Sequence, residues 1–213
     1  INNMIEKKIK LNDAYSLKTP EDSIKLYKKW AQTYDKDFAL DNNYLSPKKI
    51  SNYFNEYAKD SDTPILDVGA GTGLVGELLY DLGHKQIIGI DISPEMLNQA
   101  ELKGCYSSLI EADITKKISL ENDSIGGVIS AGTFTHGHVG PDAINELIRV
   151  IKPGGLFVLS INSKVFIKGG FKEKFLTIKN KISPPIFKKF NAHGKNKNKT
   201  FNQVQIYAAI FRK

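Results

Sequence analysis

The stretch Ile65-Leu66-Asp67-Val68-Gly69-Ala70-Gly71-Thr72-Gly73-Leu74-Val75-Gly76 constrains this chain more than any other. A short apolar run ends at an acid, glycine falls at three alternate positions, and an apolar, helix-compatible run follows. That order predicts a buried strand, a tight turn and the start of a helix. Glycine permits positive φ in such a turn and lets a ligand approach the bare backbone. The free N–H groups at the start of the helix point at the same spot. Counted from Gly69, the third glycine of a G-x-G-x-x-G loop would fall at Leu74, and no Gly-Lys-Ser/Thr follows to make a P-loop. A carboxylate at Asp67, just ahead of the turn, sits badly beside a pyrophosphate and suits a ligand that brings positive charge.

Two more acids follow at the ends of apolar runs. Ile87, Ile88 and Ile90 predict a β-branched strand that Asp91 closes, and Ser93-Pro94 opens a helix containing Met96. Asp91 either accepts hydrogen bonds from ribose hydroxyls, as acids do at this place in nucleotide-binding α/β units, or caps that helix itself. Asp113, in Glu111-Ala112-Asp113-Ile114, taken alone is a turn aspartate.

The remaining pattern alternates strands with helices. Residues 21–38 carry Ile24, Tyr27, Ala31 and Tyr34 at helical spacing, and a second helix opens at Ser46-Pro47 with Ile50, Tyr53, Phe54 and Tyr57 on one face. Helical patterns follow the glycine loop, Ser93 and Ile144, and strands are expected near 106–111, from Ile125 to Ala131 and from Leu156 to Ile161. Pro153-Gly154-Gly155 reads as a turn before the last of these. A helix is expected from about Phe166 to Ile182, weakened by Gly169-Gly170, and Ile186–Phe190 and Val204–Phe211 read as two closing strands. The implied fold is α/β, a doubly wound, mostly parallel seven-stranded Rossmann-like sheet with helices on both faces and an antiparallel C-terminal hairpin. No linker or repeat divides the chain, so 1–213 reads as one domain, with 1–60 a helical lid and lead-in and 61–213 the core.

Composition narrows the classes. No apolar run approaches the ~20 residues of a membrane span, and there is no secretory leader pattern near the start. The single cysteine, Cys105, rules out an internal disulfide and a cysteine-clustered zinc site, and points to a reduced, cytoplasmic setting. The net charge of +7 comes from lysine spread along the chain. The densest run, Lys188 to Lys199, is interrupted and lacks arginine, so it reads as a solvated loop rather than a nucleic-acid patch. The sequence starts at Ile1 rather than methionine, which predicts missing native residues or a tag remnant.

The stretch D-x-G-x-G-x-G from Asp67 to Gly73 resembles the first motif of the class I S-adenosylmethionine (SAM)-dependent methyltransferases. Trp30-Ala31-Gln32-Thr33-Tyr34-Asp35 resembles the W-A-x-x-Y-D signature ahead of the SAM domain in many small methyltransferases. The segment Ser130-Ala131-Gly132-Thr133-Phe134-Thr135-His136-Gly137-His138-Val139 looks like the small methyltransferases related to the Williams–Beuren-region methyltransferase. The likeness covers roughly residues 27–162 and implies SAM as cofactor and S-adenosylhomocysteine as product. It implies that Trp30 and Tyr34 fold over the cofactor, although aromatics at this spacing equally suit a docking helix. It implies that Asp67, Gly69, Ala70, Gly71, Thr72 and Gly73 hold the methionine end, that Asp91 holds the ribose and that Asp113 bonds the adenine amino group. Ile92, Met96, Ala112, Ile114, Ser130, Ala131 and Gly132 complete the cofactor-binding set.

Methyl transfer is an in-line displacement in which the protein aligns the acceptor and excludes water. A base is needed only where the acceptor must lose a proton. His136 is the expected catalytic group, with His138 either a second base or a loop-bonding residue. No metal site is expected at these histidines. The leading expectation is transfer to a small-molecule acceptor, with a protein or nucleic-acid acceptor, or a non-catalytic SAM-binding module, as alternatives.

Overall fold

The computed structural model of the chain describes residues 13, 17, 19–195 and 204–213. Seven strands form one sheet: β1 Ile65–Val68, β2 Ile87–Asp91, β3 Ser108–Glu111, β4 Ile125–Phe134, β5 Ile151–Asn162, β6 Ile186–Asn191 and β7 Gln205–Arg212. Their order is β3-β2-β1-β4-β5-β7-β6. β1 pairs in parallel with both β2 and β4, so the chain reverses its direction of winding between β1 and β4. That switch point is where open α/β sheets bind ligands, outside the carboxyl ends of the strands. β7 runs antiparallel to β5 and β6, which gives the expected mixed sheet with an antiparallel C-terminal edge.

All four β1 residues are buried, as are Val128, Ile129, Phe157, Val158 and Leu159 in β4 and β5. Near-continuous apolar runs of this kind belong to strands covered on both faces. One face packs against Ile144, Leu147 and Phe171, and the other against Ile50, Phe54, Val75 and Leu79. The Ser46–Tyr57 helix carries Ile50 and Phe54 at zero exposure, the face its spacing predicted.

Three elements differ from expectation. Pro153-Gly154-Gly155 does not precede the strand but lies inside β5. Ile151 pairs with Ile125 and Leu156 with Gly127, so extra residues bulge out of β5, with Gly154 at φ 80°. The helix expected over 166–182 is two short helices, Ser163–Lys168 and Phe171–Thr177, separated at Gly169-Gly170, where Gly170 takes φ 81°. The helical segment at 21–38 is an α-helix, Pro20–Trp30, followed by a π-helical turn, Asp35–Leu40. Its start is a capping box: the Thr19 hydroxyl accepts from the Asp22 N–H and the Asp22 carboxylate accepts from the Thr19 N–H. Of the lysine run, Lys188 and Lys189 stand in β6 rather than in a loop, and 196–199 lie outside the described residues. Lys188 bonds Glu56 at 2.8 Å and sits over the Tyr53 and Tyr57 rings, so it is a packed cation. Of the first eighteen residues only 13 and 17 are described, so the start of the lead-in also lies outside the described residues.

Candidate active site

The glycine turn rises from β1 and leans on β2. The Gly69 and Ala70 N–H groups donate to the Ile90 carbonyl at 2.8 and 3.0 Å. Gly69, Gly71 and Gly73 take φ of 70°, 54° and 89°, which an L side chain resists. A Cβ at Gly69 would overlap the Thr133 hydroxyl. That hydroxyl donates to the Val68 carbonyl at 3.0 Å, and the Ser130 hydroxyl does so at 2.7 Å. The end of β4 is thereby tied to the end of β1.

Asp91 closes β2 with its carboxylate clamped between two loops. One oxygen accepts from the Gly71 N–H and the other from the Ser93 N–H, each at 2.9 Å. Ser93, not Asp91, caps the next helix, accepting from the Met96 N–H. Burial pushes the Asp91 carboxyl up, against the pull of the Ser93, Gly71 and Ile92 amides. Asp113 does behave as a turn aspartate: one oxygen accepts from the Thr115 N–H and hydroxyl, and the other pairs with Lys116 at 3.3 Å. Burial works against those partners, and the net effect holds its carboxyl below the usual range.

One cavity opens above these strand ends. Its floor includes Gly69, Ala70, Gly71, Thr72, Asp91, Ile92, Met96, Ala112, Asp113, Ile114, Ala131 and Gly132, and Tyr34 faces it from the N-terminal segment. Thirteen of the residues the sequence assigned therefore line one cavity. Five do not line it. Asp67 is fully buried beneath the turn, where one oxygen accepts from the Tyr106 hydroxyl at 2.7 Å. Its other oxygen has no hydrogen-bond partner among the described residues. Burial, only partly offset by Tyr106 and reinforced by the charge of Asp91, lifts its carboxyl to about 7. Gly73 faces Ala100 and Tyr106, and Ser130 is spent on the Val68 carbonyl. Trp30 is buried against Phe38 and Tyr34, behind the wall rather than in it. His136 faces solvent.

The sequence reaches part of the opposite wall, Tyr34 of the aromatic motif and His138 beyond β4, and assigns no role to the rest. It is built from Tyr27, Tyr34, Phe38 and Tyr44 of the N-terminal segment, from Thr133 at the end of β4 and Thr135, His138 and Val139 beyond it, and from Ser160 and Asn162 at the end of β5. Asn162 and Ser160 were legible in principle, because strand ends on this rim are where such sites form. The N-terminal segment is latched down by Asp35, which accepts from the Thr72 hydroxyl and from Lys103. Asp35 is the acid of the W-A-x-x-Y-D stretch. Lys28 and Glu95 add a second latch at 3.1 Å, exposed enough to contribute little.

His138 belongs to this wall. Its Nε2 meets the Tyr27 hydroxyl at 2.8 Å and its Nδ1 meets the His136 carbonyl at 2.7 Å. Burial pushes its imidazole below the ordinary value, against the His136 carbonyl. No lysine or arginine lines the cavity among the described residues. A pyrophosphate would find no counter-charge there, whereas carboxylates and open backbone at Gly71 suit a nucleoside with a cationic tail. The residues present thus fit SAM.

Comparison with known proteins agrees. Residues 66–159 match the family described as "Methyltransferase domain". The human "Methyltransferase-like protein 27" is 31% identical over 158 residues, 73% of this chain and 64% of that protein. This chain therefore spans less than two thirds of that relative's length. Among solved structures, the complex between the Haloferax volcanii Trm112 methyltransferase activator and a putative methyltransferase aligns with a TM-score of 0.62 at 16% identity, over 87% of this chain and 96% of that one. A TehB-like SAM-dependent methyltransferase from Corynebacterium glutamicum aligns with a TM-score of 0.60 at 18% identity, over 88% and 97%.

Proposed function

We propose, from the premise that this chain belongs to the class I SAM-dependent methyltransferase superfamily, that it moves a methyl group from SAM to a small-molecule acceptor. The observation that carries this reading is the cavity itself, roofed by aromatics and without a cation in its described lining. A nucleic-acid acceptor calls for lysine and arginine along its phosphate path. The aromatic roof suits a compact, partly apolar guest.

Asp91 is the candidate for the ribose hydroxyls, since its carboxylate keeps acceptor capacity beyond the backbone bonds it already makes. Asp113 is the candidate for the adenine edge. The glycine turn offers backbone to the methionine end, and Asp67 supports it from below. When bound, SAM supplies an electrophilic methyl on a sulfonium leaving group. The chain's own work is to align the acceptor and exclude water, which the latched N-terminal segment does.

The test is transfer of labelled methyl from SAM into a cell extract separated into metabolite, RNA and protein fractions. Label is expected in the metabolite fraction. Label confined to RNA or protein would overturn the small-molecule reading.

A further inference from the structure

We propose that His138 and Tyr27 form the proton-accepting pair on the acceptor side of the cavity, and that the acceptor is methylated on an ionisable hydroxyl. This rests on the methyltransferase reading above. The tautomer of His138 follows from its partners. A backbone carbonyl only accepts, so the contact of Nδ1 with the His136 carbonyl at 2.7 Å places the ring proton on Nδ1. The neutral imidazole then presents a lone pair at Nε2, and the Tyr27 hydroxyl donates to it at 2.8 Å. Burial keeps that imidazole neutral, and Tyr27 is the titratable side chain that bonds it. Both residues line the cavity.

Packing holds the pair in place from two directions. Tyr27 stacks on the buried Trp30, 6.3 Å between ring centroids, which fixes its helix face. A Cβ at Gly137 would overlap the Leu17 carbonyl, so the loop carrying His138 lies tight against the chain leading into that helix. Tyr27 thus reaches His138 only when the N-terminal segment is down, which couples closure to acceptor activation.

A base of this kind identifies the acceptor atom. A neutral amine or a thiolate attacks without one, whereas a hydroxyl becomes a good nucleophile only as its proton leaves. The acceptor hydroxyl passes its proton to Tyr27 Oη while the Tyr27 phenol passes its own to Nε2 of His138. The freed oxygen pair forms the bond to the methyl carbon, and the pair of the broken C–S bond stays on sulfur. His138 is left as imidazolium and returns its proton to solvent.

The experiment has five readouts. Histidine-labelled nitrogen NMR of the intact protein at neutral pH should show His138 protonated at Nδ1 and bare at Nε2; the opposite tautomer, or imidazolium, would overturn the assignment. A probe panel of phenols, catechols and hydroxy acids, with amines and thiols beside them, should take up methyl on hydroxyl oxygen. His138→Gln and Tyr27→Phe, checked for folding by circular dichroism, should lower turnover by about 100-fold, the low end of what a positioned base contributes, and by about tenfold for the relay that His138 can bypass. Turnover of the wild type should rise along one limb as His138 loses its proton, and that limb should vanish in His138→Gln. Methyl uptake only on amines or thiols, no uptake on any hydroxyl probe, or undiminished turnover in both variants would overturn the proposal. Calorimetry of SAM binding to the wild type separates the two levels, since no SAM binding would fail the methyltransferase reading itself.

Discussion

The two walls of the cavity are made in different ways. The floor is assembled from consecutive residues at strand ends, held by backbone bonds such as Gly71 N–H to Asp91 and Gly69 N–H to the Ile90 carbonyl. The roof is assembled from side chains that lie far apart in sequence, such as Tyr27 and His138, or Asp35 and Thr72. The floor therefore depends on turn geometry and the roof on tertiary docking. A lesion in the floor should strike SAM binding, and a lesion in the roof should strike what happens to the acceptor.

One glycine on each side of the cavity tests that separation. Gly69→Ala meets both a φ of 70° and the Thr133 hydroxyl. The strain and overlap together cost several kcal/mol, so SAM affinity should fall by about 30-fold or more. Gly137→Ala meets a φ of 73° and the Leu17 carbonyl, on the roof side. Its effect on SAM affinity should stay within about threefold, under ~1 kcal/mol. Equal losses in the two variants would show that floor and roof are one unit.

A smaller effect concerns Asp67, which lies beneath the floor. Its carboxyl is raised from 3.8 to about 7 by burial. Between those values the unfolded chain releases a proton that the folded chain keeps, so stability falls as pH rises and levels off above 7. The loss should be about 2 kcal/mol from pH 5 to 7, within the linkage ceiling of ~1.4 kcal/mol for each of the two units. Asp67→Asn, whose amide oxygen can still accept from Tyr106, should flatten this slope in urea melts. Parallel slopes in variant and wild type would return Asp67 to the ligand wall.

The same contrast governs what could be read from the chain alone. Gly69 to Gly73, Asp91 and Asp113 announce themselves because their spacing is local and their strands end on one rim. Trp30 and Tyr34 share a helical face in the sequence, yet one packs behind the wall and the other lines it. Spacing cannot divide them, because Trp30 ends the Pro20–Trp30 helix and Tyr34 lies beyond it, just ahead of the π-helical turn. His136 and His138 show the same limit. They alternate around Gly137 at φ 73°, and that turn, set by contact with Leu17, sends His136 to solvent and His138 inward. The Pro153-Gly154-Gly155 signal reads as a turn in the sequence, and the chain uses it to bulge β5 instead.

The most direct measurement is calorimetric titration of the wild type and Asp91→Ala with SAM, S-adenosylhomocysteine and NAD. The account predicts that SAM and S-adenosylhomocysteine bind and NAD does not. Asp91→Ala removes charge-assisted bonds worth roughly 1.5–3 kcal/mol each, so SAM affinity should fall at least tenfold in a protein that still folds. Binding of NAD in place of SAM, or unchanged SAM affinity in folded Asp91→Ala, would contradict it.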